Sequence, residues 1–161
     1  PVVDASPDPG GVKRAQLFRE TLESVMGLPV GSALMEKRRS AGIVSGSLLV
    51  GEVTDATVLV VDDIISTGGT MVRAAKACHD HGASAVCASA APGLFVGDAG
   101  AAIRNDLIAK TFVTDTVPPF RLVPETVRGY LEIVSAAPLF ADAIRCLHEN
   151  RSINELLEGQ A

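Results

Sequence analysis

The sequence predicts an α/β domain, a mostly parallel sheet flanked by helices, and three observations carry that expectation. Strand-like and helix-like segments alternate along all 161 residues, the order that builds parallel sheets with helices on their faces. The clearest strand, Thr57-Val58-Leu59-Val60-Val61, is a continuous run dominated by β-branched residues, the composition of a strand buried on both sides. It breaks into Asp62-Asp63 and a glycine-rich turn, after which a helical pattern resumes.

Each element follows in order. Val2 to Ala5 reads as a short buried strand, ended by the turn-rich Ser6-Pro7-Asp8-Pro9-Gly10-Gly11. From Val12 to Met26 the apolar residues Ala15, Phe18, Leu22 and Val25 recur at helical spacing, and Gly27 supplies a C-terminal stop. Val30 to Met35 is a second strand running into the cluster Glu36-Lys37-Arg38-Arg39. Ser40 to Ser47 has the small, polar composition of a mobile loop, and Leu48 to Val53 is a strand. After the central strand, a helix covers Met71 to His79, Ser84 to Ser89 is a strand, and a short helix lies near Ala99 to Arg104. Thr111 to Val113 and Leu131 to Val134 are further strands. Pro138 opens a helix through Leu147, with Phe140, Ala143, Ile144 and Leu147 on one face. Ser152 to Glu155 has capping-box spacing and starts a last helical turn. No repeat or linker divides the chain, so residues 1–161 form one domain.

Composition narrows the function. Fourteen Lys and Arg against nineteen Asp and Glu give a net charge of −5, with no cationic face for a nucleic-acid backbone. Trp is absent and Phe plus Tyr number six, so base-stacking platforms are not expected. No apolar run reaches membrane-spanning length. Cys78, Cys87 and Cys146 lack CxxC spacing and read as small buried hydrophobes, which fits a reducing cytoplasm. His79 and His81 at a helix end and His148 on the last helix read as surface residues. The start on an apolar Pro1-Val2-Val3, with no Met and no signal-peptide pattern, is expected of a fragment of something longer.

The segment from Val58 to Thr70 carries the chemistry. Ligands of parallel sheets bind beyond the carboxyl ends of strands, where this loop falls. Small residues at 66 to 70 let backbone N–H groups approach an anion, and Ser66, Thr67 and Thr70 add hydroxyl donors at a helix N-terminus. No Gly-Lys-Ser/Thr follows, so the loop is not a Walker A motif. Asp62 and Asp63 repel a bare phosphate and should face another part of the ligand. Vicinal sugar hydroxyls, or a Mg2+ held through them, meet that need. Phosphate at one end and a diol at the other describe a ribose 5-phosphate. The competing reading is an ordinary βα turn with acids capping a helix; each acid alone fits it, and the whole string fits it poorly.

The string resembles the phosphoribosyl diphosphate signature of the type I phosphoribosyltransferase fold. Further blocks are similar to one branch, the ribose-phosphate diphosphokinases, or phosphoribosyl pyrophosphate synthetases. These are Ser6-Pro7-Asp8-Pro9-Gly10-Gly11-Val12-Lys13-Arg14-Ala15, Glu36-Lys37-Arg38-Arg39, Thr114-Asp115-Thr116-Val117-Pro118, and the closing Ala143-Ile144-Arg145…Ser152-Ile153…Leu156-Leu157. Family members are about twice this length, and the chain resembles their C-terminal half. The resemblance implies diphosphoryl transfer from Mg·ATP to the anomeric hydroxyl of ribose 5-phosphate. Asp62, Asp63, Ser66, Thr67, Gly68, Gly69 and Thr70 would hold ribose 5-phosphate, and Asp8 would help hold a Mg2+. Lys37 and Arg39 would act from a mobile catalytic loop over the ATP phosphates; without the resemblance they read as a solvated basic cluster. It also implies a homo-oligomer built from dimers, and a chain inactive without the other half.

Two positions depart from the family pattern. Ser66 stands where these synthetases commonly have Asp, and Ala91-Pro92-Gly93 stands where Thr-His-Gly is usual. Two alternatives therefore accompany the synthetase reading: a phosphoribosyltransferase using phosphoribosyl diphosphate, and a non-catalytic regulatory paralogue.

Overall fold

The computed structural model describes residues 1–40, 43–154 and 156. Seven strands form one sheet: β1 (Val2–Ser6), β2 (Gly31–Ser40), β3 (Ile43–Val50), β4 (Thr57–Asp62), β5 (Ala85–Ala90), β6 (Lys110–Thr114) and β7 (Leu131–Val134). Their order is β3-β2-β1-β4-β5-β6-β7, and every neighbouring pair is parallel except β2 with β3. The helices are α1 (Val12–Met26), α2 (Gly69–Asp80), α3 (Ala99–Ile103), α4 (Pro124–Tyr130) and α5 (Ala137–His148). The expected α/β class is borne out.

Handedness explains where the helices lie. The crossover from β1 through α1 to β2 runs one way along the sheet, and those from β4 through α2, β5 through α3 and β6 through α4 run the other. Right-handed crossovers in opposite directions put their helices on opposite faces. Thus α1 is alone on one face, and α2, α3 and α4 share the other. On the shared face the sheet residues Val3, Ala5, Ala33, Met35, Val58, Val60, Val86, Ala88 and Val113 are buried against Met71, Ala74, Ala75 and Cys78 of α2 and Ile103 of α3. This side holds most of the core.

Several expectations change in detail. Of the segment expected as a loop from Ser40 to Ser47, Ser40 ends β2 and residues 43–47 open β3, which pairs antiparallel with β2 and replaces the expected strand 48–53; residues 41 and 42 lie outside the described residues. Cross-strand pairing overrides the weak strand propensity of its small residues. Helix α4 was not legible, because its seven residues include Gly129 and carry no helical apolar period; Pro124 at its start was the available signal. Gly27 ends α1 as expected, in a left-handed conformation at φ 64°. The apolar face of α5 forms, yet Phe140, Ile144 and Leu147 are exposed. His79 is only partly exposed: its ring lies between the carbonyls of Ala83 at 3.1 Å and Leu107 at 3.0 Å, tying α2 to the segment before β6. His81 stacks on the end of α2, its Nδ1 2.8 Å from the Ala77 carbonyl. Cys78 and Cys146 are buried, and burial pushes the Cys78 thiol up to about 11, so it is an inert apolar group. The capping-box Glu155 lies outside the described residues, but Ser152 Oγ accepts from the Asn154 N–H at 3.2 Å.

Candidate phosphate and sugar site

The sheet changes direction between β1 and β4: the chain leaves β1 toward β2 and leaves β4 toward β5. Such a switch point opens a crevice at the carboxyl ends of the two strands. The loop after β1 carries Asp8, and the loop after β4 carries Asp62, Asp63 and residues 66–70. Parallel register from Val2 with Thr57 to Ala5 with Val60 brings both loops to the same edge.

Asp8 caps the 3-10 turn Pro9–Gly11. Its Oδ1 accepts from the Gly11 N–H at 3.1 Å, and its carbonyl accepts from Ser6 Oγ at 2.7 Å. A Cβ on Gly11 would lie 2.7 Å from that hydroxyl, so a larger residue there would displace the Ser6 side chain. Among the described residues no three His, Cys, Asp or Glu side chains gather. Mg2+ brought in on substrate phosphates requires only one or two protein carboxylates, and the single Asp8 at the strand end is compatible with that chemistry.

The loop after β4 is held from below. Ile65 exchanges backbone hydrogen bonds with the segment after β5, donating to Pro92 O at 3.1 Å and accepting from Leu94 N at 2.8 Å, while Val96 N donates to Ser66 O at 3.0 Å. Phe95, buried and at φ 49°, lies against Gly93 in this support. A bulky residue in the left-handed region is strained, and such strain concentrates at functional loops. Gly68 adopts φ 78°, and a Cβ there would lie 2.6 Å from Ala102 Cβ of α3. Ser66 and Thr67 are exposed, and Gly69 and Thr70 open α2, whose first N–H groups have no intrahelical acceptor. These are the features of an anion cradle.

Asp62 and Asp63 are joined by a residue that the sequence reading left without a role. Arg14 in the first turn of α1 sets Nη1 3.2 Å from Asp62 Oδ1 and Nη2 3.2 Å from Asp63 Oδ2. Asp62 Oδ1 also accepts from the Asp63 N–H at 2.9 Å. Burial raises the Asp62 carboxyl above its ordinary range; the Asp63 N–H and Arg14 oppose the rise and the Asp63 carboxyl adds to it. A cavity of about 460 Å³ lies on the α1 side, bordered by Arg14, Phe18, Asp62, Asp63 and Ser89. Arg73, one turn into α2, donates to Thr70 Oγ1 at 3.0 Å and brings a second cation beside the loop. Its signal was an Arg three residues after a loop hydroxyl.

β2 pairs with β1 only as far as Leu34 with Ser6, so its remaining residues run past the edge where these loops lie. Lys37 and Arg39 are on that extension, opposite Ser47 and Val44 of β3, with a register shift between them. They are on a hairpin, not a loop, and their side chains lie outside what the structure describes. Asp115, from another block of the resemblance, accepts from Ser135 Oγ at 2.6 Å and Ala136 N at 2.8 Å, bonds that hold its carboxyl below the usual range. It fastens the end of β6 to the turn after β7.

Residues 45–158 match the family model of the phosphoribosyl synthetase-associated domain. The chain is 37% identical over 156 residues to a ribose-phosphate pyrophosphokinase of Caldanaerobacter subterraneus subsp. tengcongensis, covering 96% of this chain and 46% of that protein. It is 38% identical over 162 residues to the ribose-phosphate pyrophosphokinase of Mycoplasma pneumoniae, with the same coverage. The crystal structure of phosphoribosylpyrophosphate synthetase from Mycobacterium smegmatis superposes with a TM-score of 0.76 at 30% identity, over 92% of this chain and 45% of that one. The chain spans a little under half the length of these relatives.

Proposed function

The chain belongs to the phosphoribosyl synthetase-associated domain family, and from that premise we propose that it is the sugar-phosphate half of a ribose-phosphate diphosphokinase. The observation that carries the reading is the pairing of an acidic fork with an anion cradle at one switch point. The cradle of Ser66, Thr67, Gly68, Gly69 and Thr70 takes the 5-phosphate, and Asp62 and Asp63 take the ring hydroxyls. The reaction is attack of the anomeric hydroxyl oxygen of ribose 5-phosphate on the β-phosphorus of ATP. A carbon-oxygen-phosphorus bridge forms as the hydroxyl releases its proton to solvent, the bond from the β-phosphorus to the α,β-bridging oxygen breaks, and AMP leaves. Such transfers rest on positioning and charge stabilisation. Asp8 would help hold a Mg2+, which would supply charge neutralisation at the phosphate oxygens. Lys37 and Arg39, on the hairpin that overhangs the edge, offer cations to the oxygens that gain charge.

The family resemblance assigns the adenine pocket largely to the other half of the synthetase, so the 161-residue chain is expected to turn over little or no substrate alone. The whole enzyme is an oligomer with a dimeric building block, acting on ATP and ribose 5-phosphate in the cytoplasm; among the described residues no helix is long and apolar enough to cross a membrane. Calorimetric titration of ribose 5-phosphate into the wild type and Asp63→Ala tests the site. Binding that weakens in the variant supports the assignment, and unchanged binding sinks it. AMP released at normal turnover from ATP, Mg2+ and ribose 5-phosphate by this chain overturns the half-enzyme reading. A binding-only role is favoured by Ala91, which puts a methyl group on the cavity wall; it expects sugar-phosphate binding and no turnover even when a synthetase N-terminal half is supplied.

A further inference from the structure

Arg14 breaks a local rule. It lies in the first turn of α1, beside Lys13 and with no acidic residue in that turn, where the helix dipole disfavours cations. Residues that violate local preference are expected where tertiary function overrides it. The compensation is Arg14's contact with two carboxylates 48 and 49 positions away in sequence.

The contact divides the four carboxylate oxygens evenly. Asp62 Oδ1 and Asp63 Oδ2 face the guanidinium, and Asp62 Oδ1 also takes the Asp63 N–H. Asp62 Oδ2 and Asp63 Oδ1 have no hydrogen bond or ion pair to a third residue among the described residues, and the two carboxyl groups are close enough to interact with each other. Two adjacent carboxylates repel each other and any anionic ligand. One planar guanidinium bridging both cancels part of that charge and fixes both side chains, which an ammonium point charge does less well. What remains is a pair of fixed acceptors, the complement of two neighbouring hydroxyl donors.

We infer that Arg14 is a positioning residue that sets Asp62 and Asp63 to read a vicinal diol, and so determines selectivity for ribose over 2-deoxyribose phosphates. This rests on the sugar-phosphate reading above. The phosphate cradle is a separate segment, so losing Arg14 should harm recognition of the sugar and spare that of the phosphate.

The test is calorimetry on the full 161-residue chain with three probes: ribose 5-phosphate, 2-deoxyribose 5-phosphate and inorganic phosphate. In Arg14→Met, affinity for ribose 5-phosphate is expected to fall about tenfold. Discrimination against the deoxy sugar should largely vanish, and inorganic phosphate should bind within about twofold of wild type. Arg14→Lys, which keeps the charge without the fork, should restore part of the affinity and little of the discrimination; it also carries the comparison if the Met variant does not fold. Equal loss of all three probes in a folded variant indicates a purely structural ion pair and overturns the inference. So does unchanged discrimination while the wild type binds. A wild type that fails to bind ribose 5-phosphate overturns the functional reading itself, which separates the two failures.

Discussion

The two faces of the sheet are made from the same strands and reach different physical states. On the side of α2, α3 and α4, the inward residues Val58, Val60, Val86, Ala88 and Val113 are buried under three helices. On the α1 side, Leu59, Cys87, Ser89 and Phe112 are only half-buried, and Val134 is exposed. The difference comes from topology, because one crossover runs toward β2 and three run away from it. Buried polar residues occur on both sides: Asp4 and Ser6 on the α1 side, and Thr111, in register with Ala88, on the other. The Arg14 fork is on the thinly covered side, while the cradle that opens α2 belongs to the densely packed one.

Asp4 offers the largest test of that contrast. It is 1% exposed with neither carboxylate oxygen hydrogen-bonded, and burial pushes its carboxyl up to about 7, against an opposing pull from Arg19. The folded state therefore keeps a proton that the unfolded chain releases near pH 4, and stability falls as pH rises between these values. The full loss is about 4 kcal/mol, complete above pH 7 and absent below pH 4. Urea unfolding of wild type and Asp4→Asn between pH 4 and 8 checks this: the variant should lack that slope, and parallel profiles would show that Asp4 finds a partner.

Paired truncations on the two faces come next. Met71→Ala removes a buried α2 side chain and should cost about 3 kcal/mol. Leu59→Ala on the half-open side should cost about 1 kcal/mol, since water already reaches it. Chemical denaturation of both variants measures the contrast, and equal costs would mean that the α1 face is as well packed as the other. The smallest effect belongs to α5. Ile144 is 66% exposed, so Ile144→Gln should shift stability by less than about 0.5 kcal/mol in this chain.

The strand-helix order and the phosphate loop were legible because they are local signals. The β-branched run of β4 and the small residues from Ser66 to Thr70 state their conformation within a dozen positions. Gly27 likewise announced the end of α1. The start of β3 was not legible because Ser45, Gly46 and Ser47 have little strand propensity alone and join a strand only by pairing with β2. His79 looked like a surface residue because the carbonyl of Leu107 that anchors it is 28 positions away.

The candidate site divides in the same way. By itself the sequence determined which residues form the loop and that acids precede it, since a glycine-rich turn between a strand and a helix needs only its own backbone. Tertiary structure decided what those acids can do. Arg14 reaches Asp62 only after β1 and β4 have paired and α1 has crossed one face of the sheet, and no periodicity or spacing encodes a contact across 48 residues. Chain folding brought the charge that sets the acids, just as crossover direction decided which face was left thin.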